Sequence, residues 1–150
     1  MVRVELARVT TAEDWASYHD IRRTELFEAR GRSDYDPNYR GERDPNKTAL
    51  LLKTNGRAIG TARFDILSPD IAAVRLVAIT KKEQGRGFGR LLMKNLESLA
   101  KRQGISTLVL NAHPTAVGFY ERLGFHKEAW VEPEPGRSDV ERVQMTKVLT

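Results

Sequence analysis

The hydrophobic positions of this chain recur with two different spacings, and these spacings divide it into strands and helices. Alternation with a period of two residues, or a short continuous apolar run, is typical of a strand. Seven segments show one of these patterns: residues 2–9, 48–54, 57–66, 71–79, 107–112, 125–131 and 140–149. Apolar positions three and four residues apart are typical of an amphipathic helix. They occur in residues 11–26, 88–102 and 116–123.

Turn residues and connection lengths predict how the strands pair. Asn55-Gly56 is a strong signal for a two-residue hairpin, and Ser68-Pro69-Asp70 makes the next turn. The central strands should therefore form an antiparallel meander. The strand at 107–112 follows a helix, and a helical connection makes it parallel to the strand at 71–79. A final hairpin is expected across residues 132–136.

A glycine-rich loop, Gln84-Gly85-Arg86-Gly87-Phe88-Gly89, precedes the second helix. Glycine at every second position lets the backbone adopt positive φ and approach a ligand closely. The amides of such a turn, with the free N–H groups of the following helix, form an anion-binding concavity. A Walker loop needs Lys-Ser/Thr where Arg90-Leu91 stand, and a dinucleotide fingerprint needs glycine in place of Arg90. The residues therefore predict a phosphate-binding loop of neither kind.

A second motif, Ala116-Val117-Gly118-Phe119-Tyr120-Glu121-Arg122-Leu123-Gly124-Phe125, lies one strand downstream. In this order, the two motifs resemble the Gln/Arg-x-x-Gly-x-Gly/Ala loop and the Ala-x-x-Phe-Tyr-x-x-x-Gly-Phe segment of the GNAT superfamily. These proteins are acyl-CoA-dependent N-acetyltransferases. Residues 143–149 also resemble the closing strand of the family. The resemblance is good over about residues 50–149 and weak before them.

The resemblance implies a fold and an activity. The fold is an α/β (α+β) mixed sheet of about seven strands, mostly antiparallel with a central splayed parallel pair, and about four helices, in one domain spanning residues 1–150. The activity is transfer of an acetyl group from acetyl-CoA, a co-substrate, to a primary amine of a small molecule, peptide or protein. Direct attack in a ternary complex is expected, since the chain has no cysteine and no serine elbow. The alternative is a non-catalytic acyl-CoA-binding module.

The resemblance also implies site residues. Pantetheine would lie between the two parallel strands and contact the backbone of Val77 and Ile79, whose side chains also suit a core. Tyr120 holds the position of the proton donor to the departing CoA thiolate, although a phenol there also suits core packing. A phenol of pKa ~10 can donate a hydrogen bond without being ionised. The other cofactor-binding candidates are Gln84, Gly85, Arg86, Gly87, Phe88, Gly89, Arg90, Asn111 and Phe119.

The sequence leaves the general base open. An acceptor amine of pKa ~10.4 is almost entirely protonated at pH 7, so a base or a water chain must take its proton. Glu25 and Glu28 lie on the first helical region, and Glu128 follows the second motif. His113 stands where the family often has asparagine, and Asn111 lies two residues earlier. His113 is a further candidate for the base, and either His113 or Asn111 could contact pantetheine.

The acceptor side of the site has a weaker sequence signal. Residues 31–47 are turn-rich, and a loop of this length is usually functional or mobile. Its Tyr35 and Tyr39, with Trp15 and Trp130, could form an aromatic acceptor pocket. Packing in the core is the simpler interpretation of the two tryptophans.

Composition and charge narrow these interpretations. The absence of cysteine among 150 residues excludes a disulfide scaffold, a thiol nucleophile and a thiolate metal site. The three scattered histidines do not have the spacing of metal ligands, so no metal is expected. The net charge of +5, from 25 basic and 20 acidic residues, suits a polyanionic cofactor. Basic residues around the glycine loop are Lys81, Lys82, Arg86 and Arg90. Nucleic acid is not expected as a partner, since no basic patch is interleaved with aromatic residues.

The chain shows no targeting or membrane signal. Residues 1–8 contain charges and no apolar stretch, so we expect no signal peptide. No apolar run approaches the ~20 residues of a membrane span, so we expect no membrane association and a cytoplasmic location. The sequence leaves the oligomeric state open, a homodimer included.

Overall fold

The computed structural model of the protein describes residues 3–37, 44–134 and 141–150. The strands are β1 (Val4–Arg8), β2 (Lys47–Thr54), β3 (Arg57–Ser68), β4 (Ile71–Ile79), β5 (Thr107–Ala112), β6 (His126–Lys127) and β7 (Val143–Val148). The α-helices are α1 (Ala12–Arg22), α2 (Phe88–Arg102) and α3 (Val117–Arg122). Short π or 3₁₀ turns occupy Arg23–Phe27, Glu28–Arg30, Lys81–Glu83 and Pro114–Ala116. None of the helices in these described ranges has the length and apolar character to cross a membrane.

The seven strands form one sheet in the order β1-β2-β3-β4-β5-β7-β6. All neighbouring strands are antiparallel except β4 and β5, which are parallel because α2 connects them. The predicted fold class, a mixed sheet of seven strands with a parallel pair, is confirmed. The described part of the chain contains three α-helices and four short helical turns, where about four helices were predicted.

Local sequence explains how several elements begin and turn. The hydroxyl of Thr11 caps α1 by accepting a hydrogen bond from the backbone N–H of Asp14 at 3.0 Å. Asn55 and Gly56 have φ values of 50° and 83°, and a type I′ hairpin requires positive φ at both central residues. These two residues therefore make the predicted tight connection between β2 and β3.

Two apolar clusters pack on opposite faces of the sheet. The larger lies between the sheet and the helices α2 and α3, and the smaller, around Tyr18, packs α1 onto the other face. Alternate residues of β2 contribute to the two clusters, as the two-residue period of a strand requires. In α2, Leu92 and Leu96 are buried, while Leu91 and Leu99 are half-buried. The core therefore covers both faces of the sheet.

The parallel strands β4 and β5 pair over only part of their length. Their register runs from Ile71 with Thr107 to Val74 with Leu110 and stops there. Two residues farther along β4, Leu76 has a φ of 56° and lies in a β-bulge against β3. A bulge bends its strand, so β4 turns away from β5. The predicted splay of the parallel pair follows from this bend.

The last two strands differ from the prediction. Strand β6 is limited to His126–Lys127 instead of 125–131, and Val131 is 90% exposed. Strand β7 begins at Val143, and residues 135–140, like Tyr39, lie outside the described residues. The two strands do pair, as expected, but the chain between them is much longer than a hairpin turn.

The described part of the predicted turn, residues 132–134, does bend at Pro133 and Glu134, but it is not a tight connection between two adjacent strands. Glu132 and Glu134 instead reach back to the sheet and form ion pairs with Arg75 of β4 and Arg63 of β3. The prolines in this segment are typical of a turn, but long-range ion pairing sets its path. The segment thereby becomes part of the wall of a cavity.

Candidate active site

A cavity of about 610 Å³ opens where β4 and β5 separate. Its lining comes from both faces of the sheet, because Tyr120 reaches it from α3 and Tyr35 reaches it from the segment after α1. The sheet residues that line it are Arg63, Val74, Arg75, Leu76, Val77, Leu110 and Asn111. A volume of this size lies within the range of small-molecule sites, ~300–1,000 Å³.

Beyond Val74, the edge of β4 that faces β5 has no strand partner among the described residues. Val77 and Ile79 lie on this stretch, and their side chains pack against the larger core. Unpaired N–H and C=O groups along a strand edge can bind another extended chain. Both sequence interpretations are therefore compatible, with backbone groups on an open strand edge and side chains in the core, although the carbonyl oxygen of Ile79 already accepts a hydrogen bond from Gln84.

The three glycines of the loop do not share one role. Gly85 and Gly87 have φ values of 80° and 84°, a conformation that glycine adopts without strain. Gly89 lies within α2, and a Cβ atom added there would stand 3.3 Å from Cζ of Phe119. Gly89 and Phe119 therefore belong to the close contact between α2 and α3. This contact holds the two motif helices together.

Gly87 is the N-cap of α2, and no side chain caps this helix end. A Cβ atom at Gly85 or Gly87 would meet no other atom within 4 Å, so the loop faces open space there. The first N–H groups of a helix have no intrahelical partner, and they carry the positive end of the helix dipole. The loop and the helix end are therefore open to solvent and have the chemistry to accept an anion.

Two polar side chains fix the shape of the loop. Gln84 donates from Nε2 to the carbonyl oxygen of Ile79 at 2.9 Å. The buried carboxylate of Glu83 accepts from Arg57 of β3 at 2.9 Å and from Arg86 at 3.4 Å. The remaining basic residues near the loop are exposed: Lys81, Lys82 and Arg90. Gln84 and Glu83 thus tie the loop to the sheet, while Lys81, Lys82 and Arg90 face solvent.

Tyr120 projects from α3 into the cavity, with its ring held edge-on between Phe119 at 5.1 Å and Phe125 at 5.8 Å. Burial raises the pKa of Tyr120 to about 12, an effect that the positive charge of Arg30 partly opposes. A phenol with this pKa keeps its proton throughout the physiological range. Tyr120 is therefore a neutral hydrogen-bond donor in a fixed orientation.

The candidate bases are scattered. The carboxylate of Glu25 accepts from the backbone N–H of Lys81 at 3.1 Å, which ties the first helical region to the turn before the glycine loop. Glu28 pairs with Arg23, and Glu128 pairs with His126 at the surface. The structure thus places none of the three glutamates among the residues that line the cavity.

His113 and Asn111 do line the cavity, but both have local partners. His113 Nδ1 accepts from the backbone N–H of Thr115 at 3.2 Å and lies 2.8 Å from its hydroxyl. The amide of Asn111 donates to the carboxylate of Glu132 at 2.7 Å. His113 thereby caps the turn before α3, and Asn111 helps to hold the segment that crosses the sheet.

A buried ion network, which the sequence did not predict, forms one wall of the cavity. Asp65 of β3 accepts two 2.8 Å hydrogen bonds from Arg63 and one from Arg75. Arg75 also chelates Glu132, at 2.8 and 2.6 Å, and Arg63 binds Glu134. Arg63 and Asp65 alternate with apolar residues of β3 and are themselves buried. Buried charges need partners of opposite charge. Two charged residues within an apolar strand pattern were therefore the sequence signal for this network.

Aromatic residues form part of the opposite wall. Tyr35 packs edge-on against Phe27 at 5.0 Å, and its hydroxyl is hydrogen-bonded to His19. Neither tryptophan lines the cavity, because Trp15 packs against Tyr18 and Trp130 donates to the carbonyl of Leu110. Of the predicted aromatic pocket, the described residues retain Tyr35 alone.

Together, the opened parallel pair and the glycine loop at the start of α2 define an acyl-CoA-dependent transferase fold. The sequence profile of the Acetyltransferase (GNAT) family matches residues 15–125, and the chain belongs to this family. Members of the family transfer an acyl group from acetyl-CoA or another acyl-CoA to an amine. The protein is accordingly an N-acetyltransferase.

Similar proteins cover almost the whole chain. The uncharacterised protein YyaT of Bacillus subtilis (strain 168) is 26% identical, with 98% of this chain and 97% of that protein covered. A putative N-acetyltransferase from Lactobacillus plantarum has a TM-score of 0.78 at 23% identity, with 99% of each chain covered. The ribosomal-protein-S18-alanine N-acetyltransferase from Escherichia coli has a TM-score of 0.76 at 18% identity, with 99% of this chain and 95% of that chain covered. The two structural similarities show a shared fold.

Proposed function

We propose that the protein transfers the acetyl group of acetyl-CoA to a primary amine by direct attack in a ternary complex, with Tyr120 as the general acid. One observation carries the proposal. The unpaired edge of β4 and the hydroxyl-bearing side chain of Tyr120 meet in the same cavity, and the glycine loop directly follows β4. The pantetheine arm, the pyrophosphate and the departing thiolate of acetyl-CoA would therefore meet the β4 edge, the glycine loop and Tyr120, respectively.

The residues present fit the acyl donor. The N–H groups around Gly85 and Gly87 and at the start of α2 suit a pyrophosphate, and Lys81, Lys82 and Arg90 add positive charge nearby. The free edge of β4 at Val77 and Ile79 suits the amides of a pantetheine arm. The acyl-CoA supplies the activated thioester, and the protein supplies orientation and hydrogen bonds.

The reaction forms one bond and breaks another. The amine nitrogen attacks the thioester carbonyl carbon, the C–N bond forms, and the C–S bond breaks with its electron pair moving to sulfur. Tyr120 donates to the departing sulfur, and a comparable thiol, that of free cysteine, has a pKa of ~8.5. Since the pKa of Tyr120 is about 12, the phenol keeps or quickly regains its proton. The proton that the amine loses balances the one that the thiolate finally gains.

We assign removal of the amine proton to water in the cavity. Among the candidate bases, His113 lines the cavity, but its Nδ1 accepts the hydrogen bond of the Thr115 amide. In a neutral imidazole the other nitrogen, Nε2, then carries the proton and has no lone pair to offer. Glu25, Glu28 and Glu128 are engaged outside the cavity.

Acetyl-CoA and CoA are expected to stabilise the folded protein more than ATP or NAD does. Ligand at 100 times its dissociation constant adds about 2.7 kcal/mol to the free energy of unfolding. For a domain of 150 residues this corresponds to a rise in Tm of about 5–10 °C. The measurement is thermal unfolding with each ligand at equal concentration. Shifts with ATP or NAD that match those with CoA would contradict the assignment of the loop to CoA.

A further inference from the structure

The cavity is lined by an unusual number of charged groups. Six arginines line it: Arg22, Arg30, Arg32, Arg63, Arg75 and Arg142. The four carboxylates are Asp34, Asp36, Glu132 and Glu134. The arginines on the sheet, Arg63 and Arg75, are held by Asp65 and by the two glutamates. Their charges are therefore already balanced by the protein.

A second group of arginines lies apart from this network, on the segment after α1 and just before β7. Arg32 is chelated by Asp34, at 3.1 and 3.0 Å. Arg30 forms no ion pair with any residue in the described ranges, and Arg142 donates to the main-chain oxygen of Glu141 at 2.7 Å. Arg30 and Arg142 thus bring two guanidinium groups to the cavity without a carboxylate for either among the described residues.

These arginines line the same cavity and act on one another electrostatically. Burial, and then the charges of Arg30 and Arg32, lower the pKa of Arg142. Arg30 also acts on Tyr120, whose pKa its charge lowers. Like charges gathered in one cavity repel each other, and an anion bound between them removes that cost. Arg30 lies within electrostatic range of both Arg142 and the candidate proton donor.

We propose that Arg30 and Arg142 bind an oxyanion of the acceptor, so that the substrate class is small primary amines that carry a carboxylate or a phosphate. The inference rests on the proposed function, since it places the amine of the same molecule near Tyr120. Guanidinium groups match both oxyanions with paired N–H donors. Positive charge beside the amine also favours its neutral, reactive form.

A binding experiment tests the anion site without turnover. The protein is saturated with CoA, which lacks an acetyl group and fills the glycine loop, and amines are titrated in by calorimetry. The matched pairs are β-alanine with β-alaninamide, and 2-aminoethyl phosphate with ethanolamine. In at least one pair, the member that carries the oxyanion should bind at least about tenfold more tightly than its partner, as hydrogen bonds to a charged group imply. Equal binding within both pairs would overturn the inference.

Variants locate the site. In the double variant Arg30→Gln/Arg142→Gln, the preference for the oxyanion-bearing member of each pair should fall about tenfold or more. Its affinity for CoA should stay within about twofold of wild type. The ratio of the two affinities within a pair is compared between wild type and variant. The difference in pKa between the two amines affects both ratios equally and therefore cancels. Arg102→Gln removes one exposed charge at the far end of α2 and should leave the ratio unchanged. A preference that survives in the double variant would place the anion elsewhere.

Turnover separates this inference from the proposed function. If amines without an oxyanion are acetylated as efficiently as amines that carry one, as measured by kcat/KM, acetyl transfer stands and the anion site is wrong. If amines that carry an oxyanion bind preferentially to the CoA complex but no amine is acetylated, the anion site stands and the proposed function is wrong.

Discussion

In the Gly87→Val variant we expect CoA affinity to fall about a hundredfold or more while the protein remains folded. Gly87 has a φ of 84°, and a β-branched side chain there carries a strain of about 1–2 kcal/mol. The added side chain would also project into the open space in front of the first N–H groups of α2, where the pyrophosphate is proposed to lie. Loss of two hydrogen bonds to a charged group accounts for the size of the effect. Titration calorimetry beside circular dichroism measures both properties.

The same helix offers a matched control at its other end. Gly104 follows α2, has a φ of 78°, and likewise faces open space. Gly104→Val should therefore lower the free energy of unfolding about as much as Gly87→Val and leave CoA affinity within about twofold of wild type. Normal CoA affinity in a folded Gly87→Val protein would refute the role of the loop.

In the Tyr120→Phe variant we expect kcat to fall at least tenfold, because general acid catalysis typically contributes ~10²–10⁴-fold, and CoA affinity to stay nearly unchanged. The phenylalanine ring can keep the edge-on contacts with Phe119 and Phe125. The missing hydroxyl acts only as the thiolate departs, and an interaction made only in the transition state affects kcat and not ground-state binding. The measurements are steady-state kinetics and CoA titration.

The pH profile adds a second readout for Tyr120. Because its pKa is about 12, the phenol stays protonated, and its deprotonation should not lower kcat between pH 8 and about 10. Tyr18→Phe is the control, since Tyr18 is buried in the smaller cluster and does not line the cavity. Its kcat should stay within about twofold of wild type. A Tyr120→Phe enzyme as fast as wild type would make Tyr120 a packing residue.

Those parts of the fold that depend on local signals could be predicted from the sequence. Strands β4 and β5 begin and end where the apolar runs at 71–79 and 107–112 do, because turn or loop residues flank each run. Asn55-Gly56 fixes its hairpin through positive φ alone. The order of the glycine loop, α2 and β5 also makes the parallel pair unavoidable. Each of these features depends on residues that are close together in the sequence or on a single connection between two strands.

The features that were missed depend on residues far apart in the sequence. Glu132 and Glu134 follow turn-forming neighbours, yet arginines more than fifty residues away determine their position. Leu76 sits in an apolar run that gives no sign of a bulge, and the bulge follows from the register with β3. Arg30 looks like any surface charge until the fold brings it near Tyr120 and Arg142. The proposed acceptor site therefore depends on tertiary structure and could not be predicted from the sequence.

Amine-dependent thiol release is the most direct test of acetyl transfer. The wild-type protein is incubated with acetyl-CoA and a broad panel of primary amines, including amino acids, amino phosphates, uncharged amines and peptides. Free thiol and acetylated amine are measured together, the second by mass spectrometry. We predict that at least one amine yields one acetylated product for each thiol released, and that release without an amine is much slower. Tight binding of acetyl-CoA with no amine-dependent release for any member of the panel would contradict the account and leave a non-catalytic acyl-CoA-binding module.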